Sequence, residues 1–293
     1  MELKHLLMLA LLVSVFCMVF GFGLRATWDD LLYLIRRPGL LLRSLLAVFV
    51  IMPVVAFALT RLFHFRHTVE VVLIALAISP VPPLLPKREL IAGGHDSYGL
   101  GLMAILALLS IAIIPLAVEI LERISDWPFE VSSGVVAALA LKTVLLPLAT
   151  GMVVRATLPQ IAERIAKPVT VFANVLLPLA AIVPLIGAMP AIWALIGEGT
   201  LIAMAAFAAV GLAVGHFMGG PDPGDSIVLA LSSACRHPAI ALAIATAAFP
   251  HEHFGATIVL YLLVGVIVSV PYIAYVRKST GRQRATVGNH ANA

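Results

Sequence analysis

The sequence predicts an all-α protein that crosses a membrane many times, and three observations predict it. Hydrophobic residues make up 61% of the 293 residues and charged residues 12%, whereas a typical soluble domain is roughly 45–50% apolar and about 25% charged. The mean hydropathy is +1.07. Nine stretches are long and apolar enough to cross the hydrocarbon layer as helices, which takes about 20 residues each. This composition excludes a soluble enzyme, a disordered protein and a nucleic-acid-binding module.

The nine predicted spans follow one another with short polar connections, and no linker separates independent domains. The apolar run that begins near residue 5 has no small-residue cleavage site after it, so it predicts a first span rather than a signal peptide. The polar residues 278–293 are predicted to form a disordered cytoplasmic tail. The spans cover approximately residues 5–24, 40–62, 69–93, 98–121, 132–156, 168–188, 199–218, 225–249 and 255–276.

The positions of lysine and arginine predict the orientation. With the N-terminus outside, the inner loops and tail hold eleven of these residues and the outer side holds four. Basic residues accumulate on the cytoplasmic side of membrane proteins. We therefore expect an external N-terminus and a cytoplasmic C-terminus. The net charge of +4 needs no polyanionic partner.

Two of the nine spans contain a stretch that cannot be a continuous helix. The third has four prolines between Pro80 and Pro86, and each interior proline removes a hydrogen bond and clashes with the preceding turn. We expect this helix to break near 79–87. The eighth span is polar and proline-containing near 232–238. Paired interruptions in corresponding spans indicate the binding site of an inverted-repeat transporter.

Short motifs along most of the chain are similar to those of one transporter family. They are Phe20-Gly-Phe-Gly-Leu24 with Trp28-Asp-Asp, Met52-Pro53, Ser79-Pro80, Ala92-Gly-Gly-His-Asp96 and Phe249-Pro250. On these motifs the chain resembles the bile acid:sodium symporter family.

The resemblance implies two inverted repeats, the first shortened by one helix. Residues 1–125 would form the first repeat with four spans, and residues 126–277 the second with five. Spans 1, 5 and 6 would form a panel, and the other spans a core in which the two broken helices cross at the membrane midplane. Substrate would lie between panel and core, and the setting would be the inner membrane of a bacterium.

The sequence departs from the family at the sodium ligands. Where the family has polar ligands, this chain has Pro86, Leu100, Ala104, Ser232, Arg236 and, in the second span, Val48. Sodium ions need several oxygen ligands, which most of these side chains do not supply. Sodium coupling is therefore not expected.

Charged and polar residues near the breaks are the candidate substrate-binding residues. A Lys or Arg at the centre of a span costs roughly 2.5–3.5 kcal/mol on insertion scales, so such residues usually face the bundle interior. Two interpretations of Arg236 stay open. It pairs with Glu89 or caps carbonyls freed by Pro238, or together with Lys87 it supplies fixed positive charge for an anionic substrate. The candidates are Pro82, Pro83, Lys87, Ser232, Ser233, Arg236, His237, Lys142 and Asn174.

Several of these residues have a second interpretation. His237 and Glu89 are the candidate proton sites, because histidine titrates near neutrality; otherwise His237 is a hydrogen-bonded core residue. Lys142 faces the cavity or extends toward the membrane edge. No metal site or cofactor is expected. In the seventh span, glycines at every fourth position from Gly211 to Gly219 predict close helix packing.

We therefore expect a secondary transporter that moves a small organic anion across a lipid bilayer by alternating access without sodium. The half-helix N-termini at a crossing favour anions, and no ATP-binding motif is present. One alternative is a sodium-dependent symporter of bile acids or other organic anions, as in the family. Alternatives of another class are a sensor without transport activity and an intramembrane enzyme. The sequence names neither the substrate nor the oligomeric state.

Overall fold

The computed structural model describes residues 2–63, 65–124, 133–197 and 199–291 of the chain. Within these ranges every regular element is a helix, so the all-α prediction is confirmed. The helices are α1 (Glu2–Gly23), α2 (Trp28–Leu32), α3 (Pro38–Leu46), α4 (Met52–Leu62), α5 (His67–Ile78), α6 (Leu85–Ala92), α7 (Asp96–Ile124), α8 (Ser133–Ala140), α9 (Leu146–Thr157), α10 (Pro159–Leu195), α11 (Thr200–Met218), α12 (Pro223–Ala234), α13 (Pro238–Ala248) and α14 (Gly255–Ala291).

Two of the long helices contain a π-helical turn. The segment π1 (Ala47–Ile51) joins α3 to α4, and π2 (Leu141–Leu145) joins α8 to α9. In each case a proline follows at the start of the next α-helix, at Pro53 and Pro147. A π-turn inside an α-helix is rare and is frequently found at a functional site.

Eight stretches of the described residues are long and apolar enough to cross a membrane, which confirms the polytopic class. They are His5–Gly23, Pro38–Leu62, Asp96–Arg123, Gly134–Thr157, Pro159–Leu195, Thr200–Met218, Pro223–Ala248 and Gly255–Ser279. The structure differs from the predicted nine at the third span, which consists of the two shorter helices α5 and α6.

Both breaks are shorter than predicted. The first covers residues 79–84, because Pro86 lies in the first turn of α6, where a proline is tolerated. The second covers residues 235–237, because Pro238 is the first residue of α13. As a result, Lys87 belongs to α6, and Ser232 and Ser233 belong to the last turn of α12.

The two breaks lie directly against each other. The backbone N–H of His237 donates to the carbonyl oxygen of Pro80 across 2.8 Å. The helices on either side are almost completely enclosed: all residues from Val71 to Ile78 in α5 and from Gly224 to Ala234 in α12 are buried. A helix that is apolar on all faces is expected to be surrounded by other helices. The contact between the breaks therefore lies in the interior of the bundle.

The helices α1, α9 and α10 pack together as a group that we call the panel, with α8 and π2 continuing α9. Gly23 and Gly151 face each other where α1 crosses α9, and a Cβ atom at either position would overlap backbone of the other helix. This grouping corresponds to spans 1, 5 and 6, as the resemblance implies.

We call the remaining helices from α3 to α7 and from α11 to α14 the core. Within it, α11 packs closely along α12. A Cβ atom at Gly211, Gly215 or Gly219 would overlap the α12 backbone, for example the carbonyl oxygen of Leu229. The close helix packing that these glycines predict is therefore confirmed.

The division of the chain into two repeats stays a prediction. Its boundary near residue 125 lies outside the described residues. The helix α14 extends to Ala291 and so includes most of the stretch that is predicted as a polar tail.

Candidate functional site

Arg236 lies in the second break and is completely buried. Its Nη1 donates to the carbonyl oxygen of Ser79 at 3.2 Å, and its Nη2 donates to the carbonyl oxygen of Val48 at 3.0 Å. Ser79 belongs to the first break and Val48 to π1, so one side chain joins three separate segments. The Nε atom has no hydrogen-bond partner among the described residues. Backbone carbonyl groups, rather than a carboxylate, therefore surround this buried cation.

Of the interpretations left open for Arg236, the ion pair with Glu89 is absent among the described residues, because each of the two side chains has other partners. Ser232 donates its hydroxyl proton to Oε1 of Glu89 at 2.7 Å. The Oε2 atom of Glu89 has no hydrogen-bond partner among the described residues, and it faces Gly99 of α7 so closely that a Cβ atom there would overlap it. The carboxyl group of Glu89 is thus enclosed between α6, α7 and α12.

His237 caps the N-terminus of α13 and also contacts the panel. Its Nδ1 accepts a hydrogen bond from the backbone N–H of Ile240 at 3.4 Å, while its Nε2 lies 3.3 Å from Oγ1 of Thr143 in π2. The Thr143 hydroxyl donates its own proton to the carbonyl oxygen of Leu139. This pattern assigns the imidazole as neutral, with its proton on Nε2. The structure therefore favours the hydrogen-bonded core histidine among the two interpretations.

Lys87 forms a second polar contact between core and panel. Its Nζ donates to Oδ1 of Asn174 in α10 at 2.6 Å. Both side chains are half-buried. Within the described part of the chain Lys87 has no carboxylate within ion-pair distance, so its charge is hydrogen-bonded but not neutralised.

Lys142 lies on another face of the panel. Its side chain is exposed and lines a cavity of about 270 Å³ next to α1, together with Thr143 and the apolar residues Leu12, Val13, Val15 and Phe16. Among the described residues it makes no hydrogen bond or ion pair. The cavity reaches Thr143, which places it beside the contact to His237.

The other predicted residues lie close to the breaks. Pro82 is half-buried and Pro83 buried in the connection between α5 and α6. Ser233 is buried with no hydrogen-bond partner for its hydroxyl among the described residues. The structure thus brings together Arg236 with the first break, Ser232 with Glu89, and Lys87 with Asn174, and it leaves Lys142 apart.

Sequence reasoning missed a polar network at the end of the core where α6 meets α7 and α11 meets α12. Asp225 is buried and accepts hydrogen bonds from Tyr33 at 3.0 Å, from His95 at 2.9 Å and from Arg37 at 3.3 Å. Burial and the hydrogen bond to Asp225 raise the pKa of Tyr33 to about 12, so it stays a donor. The carboxylate of Asp222 lies 3.6 Å from His95.

This network includes three residues of the kind that bind metal ions, namely His95, Asp222 and Asp225. However, both oxygens of Asp225 already accept hydrogen bonds, and Arg37 supplies a cation. We therefore interpret the group as a structural ion-pair network. Its members are separated by up to 192 positions in the chain and follow no spacing motif. The one feature of the sequence that could have indicated this network is Asp222, the N-cap residue of α12 before Pro223.

Comparison with known proteins identifies the family of this chain. An uncharacterized sodium-dependent transporter of Bacillus subtilis (strain 168), YocS, is 28% identical over 137 residues, which are 47% of this chain and 42% of that protein. The chain thus aligns with less than half the length of this relative. Residues 12–197, more than half of the chain, match the model of the sodium bile acid symporter family. On that match, together with the many apolar helices, the chain is an integral membrane protein that belongs to the sodium bile acid symporter family.

Proposed function

We propose that this member of a transporter family moves a small organic anion by alternating access and does not use sodium. The observation that carries the proposal is the pair of carbonyl groups, from Ser79 and Val48, that bind the guanidinium of Arg236. These carbonyl oxygens could otherwise bind a sodium ion, but here they bind the guanidinium, a cation that belongs to the protein. The proposed orientation is an external N-terminus in a bacterial inner membrane.

The charge of Lys87 supports an anionic substrate. Its partner Asn174 is neutral, whereas a carboxylate would add the attraction of opposite charges to the hydrogen bond with the ammonium group. A substrate carboxylate would therefore compete well with the amide oxygen for the ammonium group. Because Lys87 lies in the core and Asn174 in the panel, binding of substrate would also release one contact between these two bodies.

The contacts between panel and core near the breaks also suit alternating access. Near the breaks, the described residues form two hydrogen bonds between core and panel, from Lys87 to Asn174 and from His237 to Thr143. Domain movements in transporters require an interface that can separate and close again. Contacts of this kind can be exchanged for substrate or water at low cost.

Sodium is disfavoured by electrostatics. Two unit positive charges about 4 Å apart repel by roughly 4 kcal/mol at an effective dielectric constant of 20. This corresponds to roughly a thousandfold loss of affinity. A sodium ion that used the carbonyl oxygens of Ser79 or Val48 would meet the guanidinium of Arg236 at about this distance.

A sodium-dependent symporter is the second candidate function. The likeness to the sodium-dependent transporter of Bacillus subtilis favours it, as does the buried carboxylate of Glu89, which could contribute one oxygen ligand. A sensor or an intramembrane enzyme would not move solute at all.

Transport by proteoliposomes separates these functions. Purified protein would first be screened by thermal shift against organic anions, since a specific ligand raises stability by mass action. Uptake of the stabilising anion would then be measured with Na⁺, K⁺ or choline outside. We expect equal uptake in the three salts, and uptake that requires Na⁺ would establish the second candidate instead. No uptake above protein-free liposomes would refute transport.

The variant Lys87→Gln tests the binding residue. We expect its apparent affinity for the anion to fall by at least about tenfold, in line with loss of a charged hydrogen bond. The matched control is Lys167→Gln, because Lys167 is an exposed residue of α10 without a hydrogen bond or ion pair among the described residues. An unchanged affinity in Lys87→Gln would remove Lys87 from the site.

A further inference from the structure

We propose that Glu89 binds the proton that drives transport, so that the anion and one proton move together. This inference rests on the proposed transport function. The sequence leaves two candidate proton sites, His237 and Glu89, and their surroundings in the structure favour Glu89.

The surroundings of Glu89 favour a neutral carboxyl group in one state of the cycle. The side chain is buried, and one hydroxyl, that of Ser232, donates to Oε1. No ion pair reaches Oε2, which has no partner among the described residues. A buried carboxylate that lacks a cation is costly, and binding of a proton removes this cost. The orphaned Oε2 atom is therefore the place where a proton would bind.

The titratable and charged groups around Glu89 come from three elements. Arg88 belongs to the same helix and directs its Nη1 toward Sγ of Cys235, at 3.9 Å. Asp96 and Tyr98 approach from α7, and Cys235 from the second break. Asp96 disfavours a second negative charge nearby, while Arg88 favours it. None of these groups forms a hydrogen bond with the carboxyl group of Glu89 among the described contacts.

His237 is less suited to carry the proton. Its Nδ1 already accepts the hydrogen bond from the N–H of Ile240, and its Nε2 already has a proton directed at Thr143. A second proton on the ring would convert Nδ1 into a donor that faces another donor. Protonation of His237 would thus break the cap of α13, whereas protonation of Glu89 breaks no hydrogen bond.

A proton also fits this place better than a metal cation. Hard cations are held by about six oxygen atoms. Beside Glu89 the described residues offer one further side-chain oxygen within hydrogen-bond distance, that of Ser232. On the other side, the Oε2 atom faces Gly99 in the backbone of α7.

The position of Glu89 explains how the proton and the anion would be coupled. Glu89 and Lys87 lie two residues apart on the short helix α6. A carboxylate at Glu89 partly offsets the field of the Lys87 ammonium group, and a neutral carboxyl does not. Protonation on the outer side would therefore strengthen anion binding, and by linkage the bound anion would strengthen proton binding by the same factor. On the inner side the carboxyl group releases the same proton when the anion leaves.

The test uses proteoliposomes of the full chain with an alkaline interior. For one proton per monovalent anion, a difference of one pH unit should drive about tenfold accumulation. Glu89→Gln, which is permanently neutral, should abolish this accumulation, and whatever anion exchange remains should not vary with pH. The matched control is Glu119→Gln, because Glu119 is exposed and paired with Arg123 at the end of α7. It should accumulate the anion like the wild type.

A second variant covers the case in which Glu89→Gln fails to fold. Ser232→Ala removes the one hydrogen bond to Oε1, which favours the charged carboxylate. The pH at half-maximal uptake, measured relative to the variant's own maximum, should therefore rise in Ser232→Ala. An unchanged midpoint, or proton-driven accumulation in a folded Glu89→Gln variant, would overturn the proposal.

The same experiment separates this proposal from the proposed function. Wild-type protein that exchanges anion at every pH, but does not accumulate it in a pH gradient, would refute proton coupling and leave transport intact. Protein that moves no anion under any gradient would refute transport itself. Accumulation driven by a Na⁺ gradient at equal pH would refute both proton coupling and sodium independence.

Discussion

The Nη2 atom of Arg236 donates to the carbonyl oxygen of Val48 across 3.0 Å. In a regular α-helix that carbonyl group would be the acceptor for the residue four positions later. Val48 lies in π1, where the helix is locally wound with five-residue spacing. The π-turn and the buried arginine thus form one structural unit that holds the second span against the second break.

Arg236→Gln should destabilise the protein. Loss of the two hydrogen bonds of the guanidinium leaves buried carbonyl groups of Ser79 and Val48 unsatisfied, at a cost of about 1–3 kcal/mol each. We expect a lower melting temperature in detergent for Arg236→Gln.

Glu89→Gln should not rescue that loss, because Glu89 is not the partner of Arg236. In a double-mutant cycle on stability, the coupling energy between the two sites should stay within about 0.5 kcal/mol. Recovery of stability in the double variant would restore the ion-pair interpretation.

Asn174→Asp should inhibit transport more than Asn174→Leu. The aspartate would neutralise Lys87 in an ion pair across the contact between panel and core, whereas leucine removes the hydrogen bond and leaves the charge of Lys87 available. Anion affinity measured by counterflow should fall by at least about tenfold in Asn174→Asp, on the scale of a lost charged hydrogen bond. Equal affinities in the two variants would mean that the charge of Lys87 is not used.

Gly215→Ala should destabilise the core. A Cβ atom there would overlap the carbonyl oxygen of Leu229 in α12, and overpacking typically costs about 1–3 kcal/mol. The control is Gly187→Ala in α10, where a Cβ would meet no atom within 4 Å. There the better helix propensity of alanine should leave stability unchanged or slightly higher. The comparison requires only melting curves of the two variants.

Reporter fusions test the proposed orientation. A reporter that is active only in the cytoplasm should give signal when it is fused after Ala293, and it should be silent when it is inserted near Glu252. The physical reason is the excess of basic residues in the loops on the side of the C-terminus. The reverse pattern of signals would invert the assignment of every loop.

Composition and proline positions were sufficient to predict the class and the two breaks. They were insufficient for the exact limits of the breaks, since a proline in a first turn, as at Pro86 and Pro238, does not interrupt the helix. The close packing along Gly215 was predictable because it depends on the spacing of small residues within one helix.

The contacts of Arg236 could not be predicted in the same way. Its acceptors are backbone carbonyl groups, which every residue has, so no residue type marks them. The network around Asp225 depends on three connections that meet only in the folded chain. The pattern of side chains in the sequence predicts where the helices lie, but it does not predict which distant helices and connections come into contact.

The connection between the first and second spans is attached at one end to the panel and at the other to the core. Arg155 of α9 donates to the carbonyl oxygen of Leu24, while Ser97 of α7 donates to Asp30. Partial burial acts to raise the pKa of Asp30, but the hydrogen bonds from Ser97 and Thr27 outweigh it and hold that pKa below its ordinary value. The carboxylate therefore keeps its anchor at neutral pH.

Tyr33 extends the attachment to the core through Asp225. If the panel and the core move relative to each other, the backbone dihedral angles of this connection must change between Leu24 and Asp30. The segment from Leu24 to Asp30 would then be the pivot of this connection.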